Sequence, residues 1–584
     1  MKNSFLITLL ALFIFSACKS KGGSNSGSGD EAFQKLADEY IDGYLAARPL
    51  YGVYLGLHKY DGKIGDYSKA GIEAEVARLK EYEKKLAEID PAKLGKQAFI
   101  DYRILKSNIE SELFSTVDLR DYKANPMLYA RAVDINIYIK RDFKPIEDRI
   151  RDIIAIEEKI PGIMEDAKAN LDDSLSKPHT ELAIDIAKGN ASFFKNDIVI
   201  ALKDVKNDSL MALFKAANQK AIDALNGYAD YLQKEKLPKA HNHFAIGEEN
   251  YKKMLLYSEG ITMTPEEILA IGMKELANQE AQFKAAAKII NPNKDAVQVY
   301  RDVQKEHPTA QSLIPDAKKH LEAIRQFLID HKIVTMPSEV RVQVEETPPY
   351  ARSTSTASMD TPGPFEEKAT EAYYYITPVD PKWTPQEQED WLAYFDYYTT
   401  DNVSVHEAYP GHYTQFLHLN ASKATRLEKI FGSYAYAEGW AHYAEQMMID
   451  EGWCNGGDSI QAAKYRICQV GDALLRLCRL CVSIKMHTQG MTVEEGTKFF
   501  MDNWHQTEKP AEQESMRGTF DPGYLFYTVG KLQILKLRED YKKQEGENFS
   551  LQKFHDAMLD NGMPPLYIMR EILLKDKESW GKTL

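Results

Sequence analysis

Repeated helix-start signals constrain the fold of this chain more strongly than any other sequence feature. The segment Thr264-Pro265-Glu266-Glu267 combines an N-cap residue, a proline at the first helical position and a glutamate that can complete a capping box. A similar pattern recurs at Thr384 and, without the proline, at Thr492. Amphipathic helical periodicity fills most of residues 31–330. The sequence therefore predicts a mainly α protein.

The exception to the helical pattern lies between residues 340 and 380. Val340 to Val344 alternates like a strand, and Ala372 to Thr377 reads as a second strand after a Pro-rich and Ser/Thr-rich stretch. We therefore predict a small β-sheet beside the candidate site described below. Two interpretations of the second strand stay open. It could pair with an extended peptide at a free sheet edge, or its tyrosines could pack on the core.

The N-terminus resembles a bacterial lipoprotein signal. Phe5 to Phe15 is apolar but too short to span a bilayer as a permanent helix, and Ser16-Ala17-Cys18 follows it. We predict a signal peptide at residues 1–17, lipid attachment at Cys18 and a flexible tether at 18–30. This would anchor the protein in the cell envelope, at the outer membrane. The alternative is a plain secretory signal with an incidental cysteine.

Beyond the tether we expect two halves, an N-terminal helical half at 31–330 and a catalytic half with the metal site at 331–584. The formal net charge is −14 and no long Lys/Arg run occurs, which argues against a nucleic-acid partner. We expect a monomer or weak dimer. The pattern around Cys478 and Cys481 is apolar and helical, which favours buried free thiols over a dense disulfide framework or a metal-binding pair.

Residues 406–412 hold the densest group of candidate catalytic side chains, His406-Glu407-Ala408-Tyr409-Pro410-Gly411-His412. A His-Glu pair followed by a second His resembles the zincin signature, in which two imidazoles bind zinc and the Glu is the general base. In zincins the second His lies four positions on. Six positions place His412 about 120° away from His406 on a straight helix. Because Pro410 and Gly411 interrupt helical geometry, we predict that the backbone restarts here and returns His412 to the metal.

A third ligand is predicted at Glu438. Glu438, His442 and Glu445 fall at i, i+4 and i+7, on one face of a helix, so His442 or Glu445 could orient a ligand. Two His and one Glu leave a zinc position open for water, which a catalytic site requires. The alternative is that the His-Glu pair consists of ordinary surface or core residues. The predicted ligands of one zinc ion are His406, His412 and Glu438.

These segments resemble one known family. The chain is similar to the bacterial domain-of-unknown-function family numbered 885, which is marked by a His-Glu-x-x-Pro-Gly-His motif and grouped with gluzincin-type metallopeptidases. The resemblance covers almost the whole mature chain and rests on residues 49–61, 406–412, 438–445 and 555–565. It implies a helical body with a deep central cleft, zinc-dependent hydrolysis and a peptide-like substrate.

The resemblance also implies roles for an Arg and a Tyr, which stand here as Arg517 and Tyr527. A phenol and a guanidinium can stabilise an oxyanion and hold a substrate carboxylate. Their alternatives are a core tyrosine and a structural ion pair. Ser483 stands where the family usually has Asp, and His487 is a further candidate. The predicted substrate contacts are Tyr374, Tyr524 and His442.

The predicted activity is peptide hydrolysis. Zinc-activated water would attack the scissile carbonyl while Glu407 accepts a proton and returns it to the leaving amine. One rival hypothesis is a zinc amidase or esterase acting on a non-peptide substrate, because the metal chemistry is shared. Another is a catalytically silent ligand-binding lipoprotein, which would have no need of a general base. Metal content and peptide digestion with and without a chelator separate these hypotheses.

Overall fold

The structure is a computed structural model that describes residues 27–348, 352, 355–454 and 456–584. The predicted signal peptide, 1–17, and Cys18 lie outside the described residues. The last residues of the predicted tether are described. The backbone N–H of Gly29 donates to the carbonyl of Lys93 at 3.1 Å, and the first helix begins at Asp30. The end of the predicted tether is therefore packed against the body of the protein.

Helices hold 70% of the protein and strands 3%, which confirms the mainly α fold. The first sixteen helices of the described chain are α1 (Asp30–Ala47), α2 (Pro49–Tyr54), α3 (Lys69–Ala87), α4 (Lys96–Leu113), α5 (Asp121–Ala124), α6 (Met127–Arg131), α7 (Ile137–Lys140), α8 (Ile146–Glu157), α9 (Ile160–Asn170), α10 (Lys177–Ser192), α11 (Ile198–Ala201), α12 (Asp208–Tyr231), α13 (Glu248–Glu259), α14 (Pro265–Ile290), α15 (Ala296–Val303) and α16 (Leu313–Asp330). Five-residue π-helical turns continue α4, α10 and α12 at Phe114–Asp118, Phe193–Asp197 and Leu232–Lys236.

The later helices surround the candidate site. They are α17 (Pro385–Tyr394), α18 (Tyr397–Glu407), α19 (His412–Ala421), α20 (Arg426–Ile430), α21 (Tyr434–Asp450), α22 (Ser459–Gln489), α23 (Val493–Trp504), α24 (Glu508–Phe520), α25 (Phe526–Glu545), α26 (Leu551–Leu559) and α27 (Leu566–Leu573). The predicted helix starts at Thr264, Thr384 and Thr492 are confirmed, since each threonine forms a complete capping box.

The predicted small sheet is confirmed, and it contains one strand that the sequence did not indicate. The strands are β1 (Gln343–Glu346), β2 (Ala357–Asp360) and β3 (Tyr373–Ile376), in the order β1-β3-β2. β1 and β3 lie close to the two predicted strands. β2 comes from the Pro-rich and Ser/Thr-rich stretch. Its sequence, Ala-Ser-Met-Asp, has no β-branched residue, so local propensity gave no signal.

β3 is the central strand of the sheet. It pairs with β1 in parallel and with β2 in antiparallel orientation. The hypothesis that residues 372–377 accept an extended peptide at a free edge is therefore wrong, because neighbouring strands occupy both sides. The alternative interpretation is confirmed for Tyr374 and Tyr375, which are both buried.

Buried apolar side chains form two large clusters. The first lies mainly within residues 33–232, and the second extends from Leu276 to Leu574. Helices α14, α15 and α16 contribute to the second cluster, although they precede residue 331. The second cluster therefore crosses the boundary that we expected at residue 331. The division into domains 31–330 and 331–584 stays a prediction.

The cysteines of the described chain are free thiols, as the apolar helical pattern around two of them predicts. Cys468, Cys478 and Cys481 are buried, and Cys454 is partly buried. Burial raises the pKa of the Cys481 thiol to about 12, which leaves it protonated and unreactive at neutral pH.

Two glycines allow α21 and α25 to cross at very short range. A Cβ at Gly439 would lie 2.5 Å from the Cα of Gly530, and a Cβ at Gly530 would lie 1.9 Å from the carbonyl oxygen of Ala435. Any larger residue at either position would force the helices apart. This contact brings the first turn of α25, which carries Tyr527, next to Glu438 on α21.

Candidate metal centre

The chain between His406 and His412 interrupts the helix as the sequence predicts. α18 ends at Glu407, and α19 begins at His412 after a short turn. Gly411 is required at this turn, because a Cβ there would lie 1.8 Å from the carbonyl oxygen of His406. Its backbone N–H donates to the carbonyl of Val405 at 2.9 Å, which folds the turn back onto α18. His412 is thereby returned to the side of His406.

The structure brings the three predicted ligands together. The Nε2 atoms of His406 and His412 lie 3.4 and 3.5 Å from the same carboxylate oxygen, Oε2 of Glu438. The two imidazole rings are perpendicular, with centroids 4.9 Å apart. The ligand atoms of all three residues lie within 4.8 Å of one another, and no other such group occurs in the described ranges. His418 lies outside the group.

The donor set fits a zinc ion. Oε2 of Glu438 is buried and has no hydrogen-bond partner among the described residues, although a buried carboxylate oxygen usually has one. It faces two imidazole nitrogens instead. Two His and one Glu is a donor set that zinc uses in catalytic sites, because it leaves a coordination position open. A cation between these atoms would satisfy all three.

Glu445 organises the site from behind the ligands. It is fully buried on α21, and its Oε1 accepts the Nδ1–H of His406 at 2.7 Å. Its Oε2 accepts the Nδ1–H of His442 at 3.1 Å. Nη2 of Arg476 lies 3.3 Å from Oε1 and balances the carboxylate charge. A carboxylate on Nδ1 fixes the ring of His406 with Nε2 directed at Glu438.

The pKa values of these groups follow from their neighbours. Burial lowers the pKa of His406, but the adjacent carboxylates of Glu438 and Glu445 outweigh it and raise the value to about 10. Burial raises the pKa of Glu438, yet the two imidazoles hold it well below its usual range. Burial and the nearby Lys531 lower the pKa of His442 to about 3, so this ring stays neutral. The carboxylate of Glu438 is therefore ionised and can bind a cation.

Tyr527 lies beside the ligand group. Burial and then the carboxylate of Glu438 raise its pKa, so its hydroxyl keeps its proton and can donate a hydrogen bond. Its ring stacks edge-on against Tyr434 at 5.7 Å, and the guanidinium of Arg479 lies 5.2 Å from the ring centroid. Glu407 is half-buried at the end of α18, and its charge acts on His406 and Tyr374.

Arg517 is nearby but already paired. Its Nη2 lies 2.8 Å from Asp521 Oδ2, one helical turn on, and 3.4 Å from the hydroxyl of Tyr434. Its guanidinium is 5.9 Å from the ring centroid of Tyr527. The ion pair that the sequence left as an alternative is present, and a contact between Arg517 and a substrate carboxylate stays a prediction.

Comparison with known proteins places the chain in a family. The family described as bacterial proteins of unknown function, DUF885, matches residues 49–573. The chain belongs to this family. No curated protein matches this DUF885 member.

Two solved structures share the fold of this DUF885 protein. The "putative lipoprotein of unknown function" from Shewanella oneidensis is 26% identical, with a TM-score of 0.78, over 93% of this chain and 100% of that chain. The "putative lipoprotein" from Colwellia psychrerythraea is 18% identical, with a TM-score of 0.79, over 95% of this chain and 100% of that chain. Within the described part of the DUF885 chain, no helix has the length and apolar character needed to cross a membrane.

The three predicted substrate contacts of this DUF885 protein are buried. Tyr374 and Tyr524 have no exposed surface and His442 has 1%. The hydroxyl of Ser404 donates to the hydroxyl oxygen of Tyr374 at 3.3 Å, and Nδ1–H of His442 donates to Glu445. Tyr374 and His442 therefore support α18 and α21 from within. Direct contact between these residues and a substrate stays a prediction, and their burial does not support it.

Two further histidines have structural partners. His418 contacts Asp560 at 2.7 Å and the carbonyl oxygen of Thr335 at 2.8 Å. His487 accepts from the N–H of Ile246 and contacts the carbonyl oxygen of Gly518 at 2.8 Å. Neither belongs to the ligand group of this DUF885 protein. Sequence reasoning missed Arg476, although an arginine flanked by the apolar residues of α22 is a signal for a buried ion pair.

Proposed function

We propose that this protein is a zinc-dependent hydrolase that cleaves peptides. The observation that carries the proposal is the convergence of His406 and His412 on Oε2 of Glu438, a buried oxygen without a hydrogen-bond partner in the described chain. His406, His412 and Glu438 would hold the ion. Bound there, zinc would lower the pKa of a water molecule and polarise a carbonyl group.

The residues around the ligands supply the remaining steps. Glu407 follows a ligand directly and is half-buried, so it can take a proton from the attacking water and pass it to the leaving amine. The protonated hydroxyl of Tyr527 can donate to the oxygen that becomes negative during attack. Glu445 keeps His406 in one orientation throughout.

Metal content and hydrolysis test the proposal together. We expect the purified protein to contain about one zinc ion per chain, the number that a single His-His-Glu site holds. It should cleave members of a mixed peptide library, lose this activity with a chelator and regain it with zinc. Glu438→Ala should remove zinc and activity. Glu451→Ala, at the exposed end of α21, is the matched control and should retain both.

The outcomes separate the rival functions. Zinc binding with cleavage of esters or non-peptide amides alone would favour the amidase or esterase. Zinc binding without any hydrolysis would favour a ligand-binding protein. Absence of zinc in the protein and no binding of added zinc would overturn the proposal.

We also propose that the protein is attached to the cell envelope through lipid on Cys18. The support is the short apolar segment before Ser16-Ala17-Cys18 and the two structural relatives, each described as a "putative lipoprotein". Cys18→Ser should release the protein from membranes and leave hydrolysis intact, because the anchor lies far from the ligands in sequence. Membrane fractionation that finds the variant and the parent equally bound would contradict this anchor.

A further inference from the structure

An aromatic cavity of about 650 Å³ lies beside α18 and α22, the helices that carry Glu407 and Arg476. Helices α15, α17, α18, α22, α23 and α24 contribute to its walls. Tyr394 is 53% exposed beside it, which is unusual for so large an aromatic side chain. The aromatic residues of the wall are Tyr300, Trp383, Trp391, Tyr394 and Trp504. So many rings around one open concavity indicate a binding surface.

The cavity shares a helix face with the general base. Thr399 and Val403 line it, and Glu407 lies one turn further along α18 in the same i, i+4 series. Arg479 also lines the cavity, and its guanidinium lies 5.2 Å from the centroid of the Tyr527 ring. A ligand in the cavity would therefore lie next to Glu407 and Tyr527, the two groups that we assign to hydrolysis. The cavity has the position of a subsite for a substrate side chain.

The charges of the wall are mostly negative. Four carboxylates line the cavity and one cation does, Arg479. Glu514 neutralises this cation with two contacts of 2.7 and 2.8 Å. Asp472 is held by Asn402 at 2.6 Å. The carboxylates of Glu387 and Asp390 remain at the exposed rim, so the wall repels anions and attracts cations.

We propose that this cavity binds a basic side chain, lysine or arginine, of a peptide substrate. The aliphatic stem would pack against the aromatic rings, the cationic group would lie over a ring face, and the rim carboxylates would add attraction. This inference deepens the proposed peptidase function and rests on it only for the peptide character of the ligand. An apolar side chain would pack against the rings in the same way, but it would lack the cation–ring contact and the attraction to the rim carboxylates.

Binding to chelator-treated protein tests the proposal without turnover. The probes are three blocked tripeptides, acetyl-Ala-X-Ala-amide, with X as lysine, norleucine or glutamate. Norleucine keeps most of the stem and removes the charge. Calorimetry and quenching of tryptophan fluorescence should show the lysine peptide binding about tenfold more tightly than the norleucine peptide, the ratio expected for a cation on an aromatic face. The glutamate peptide should bind most weakly.

Two variants test whether residues of the cavity cause the preference for lysine. Asp390→Asn removes a rim charge, and Tyr394→Leu removes an exposed ring, so neither change should disturb the core. Both should reduce the preference for lysine several-fold. Glu389→Gln is the control, because this exposed neighbour does not line the cavity. Equal binding of lysine and norleucine peptides, an unchanged preference in both variants, or no binding at all would each overturn the inference.

The same experiment distinguishes this inference from the proposed function. A lysine preference that depends on Asp390 and Tyr394, in a protein that hydrolyses nothing, would support the subsite and count against the peptidase. Hydrolysis without that preference would support the peptidase and overturn the subsite. Replacing lysine by arginine in the probe should preserve the preference, because guanidinium groups also bind aromatic faces.

Discussion

Glu157 on α8 and Glu445 on α21 are both completely buried, but their surroundings are opposite. Neither oxygen of Glu157 has a hydrogen-bond partner in the described structure, and burial raises its pKa to about 9. Burial acts on Glu445 in the same direction, yet Arg476, His442 and His406 hold its pKa well below the usual range. One carboxyl is neutral at pH 7 and the other is ionised. The depth of burial therefore does not mark a functional carboxylate, whereas the convergence of partners does.

The largest effect is expected from a change in Glu407, the proposed general base. Glu407→Gln should lower turnover of the best library peptide by about 10²–10⁴-fold, because the amide cannot accept a proton. Zinc content and melting temperature should stay unchanged. Glu157→Gln is the matched control, and it should retain full turnover because its carboxyl is far from the ligands in the chain and already neutral. Turnover within a few-fold of the parent in Glu407→Gln, with zinc retained, would exclude Glu407 as the base.

A second test compares two tyrosines three positions apart. Tyr527→Phe should lower kcat by about 10²–10³-fold with little change in KM, because a hydrogen bond to the developing oxyanion is lost. Tyr524→Phe should have little effect. The hydroxyl of Tyr524 is buried and has no hydrogen-bond partner within the described ranges. Its removal therefore breaks no hydrogen bond. Equal losses in steady-state kinetics of both variants would indicate a packing effect.

A third test weakens the support of His406. Glu445→Gln keeps the shape of the side chain and removes the charge that balances Arg476 and orients the imidazole. Zinc affinity should fall about 10–100-fold, the usual cost of losing a group that orients a metal ligand. Competition with a chromogenic chelator would measure it, with Glu451→Gln as the exposed control. Unchanged affinity would mean that the helix alone holds His406 in position.

The smallest effect on zinc binding and turnover is expected from Glu157, where a change should alter only stability. Its folded-state pKa of about 9 lies above the ordinary 4.5, so between these values the native protein binds a proton that the unfolded chain has released. The free energy of unfolding should therefore fall as the pH rises, by about 1.4 kcal/mol per pH unit from this group. Glu157→Gln removes this dependence, and its stability advantage over the parent should grow with pH. Urea denaturation at several pH values checks it, with the exposed Glu158→Gln as control. Parallel pH profiles would show that Glu157 titrates normally.

The sequence by itself determined the helical class, the capping boxes at Thr264, Thr384 and Thr492 and the return of His412 to the side of His406. These features depend on neighbours within a few positions. A threonine followed by a glutamate three residues on caps a helix locally, and Pro410 with Gly411 must end one. The placement of Glu438, His442 and Glu445 on one face of a helix also followed from helical spacing, since these residues repeat about every turn.

Only the tertiary structure decided what surrounds these groups. β2 forms because β3 offers it a free edge, and local propensity does not predict it. Gly439 and Gly530 meet across two helices that are 91 positions apart in sequence, and this contact places Tyr527 beside Glu438. Whether a buried glutamate is neutral, like Glu157, or ionised, like Glu445, depends on charges contributed by other helices. Electrostatic energies depend on distances through space, and the sequence does not contain those distances until the chain has folded.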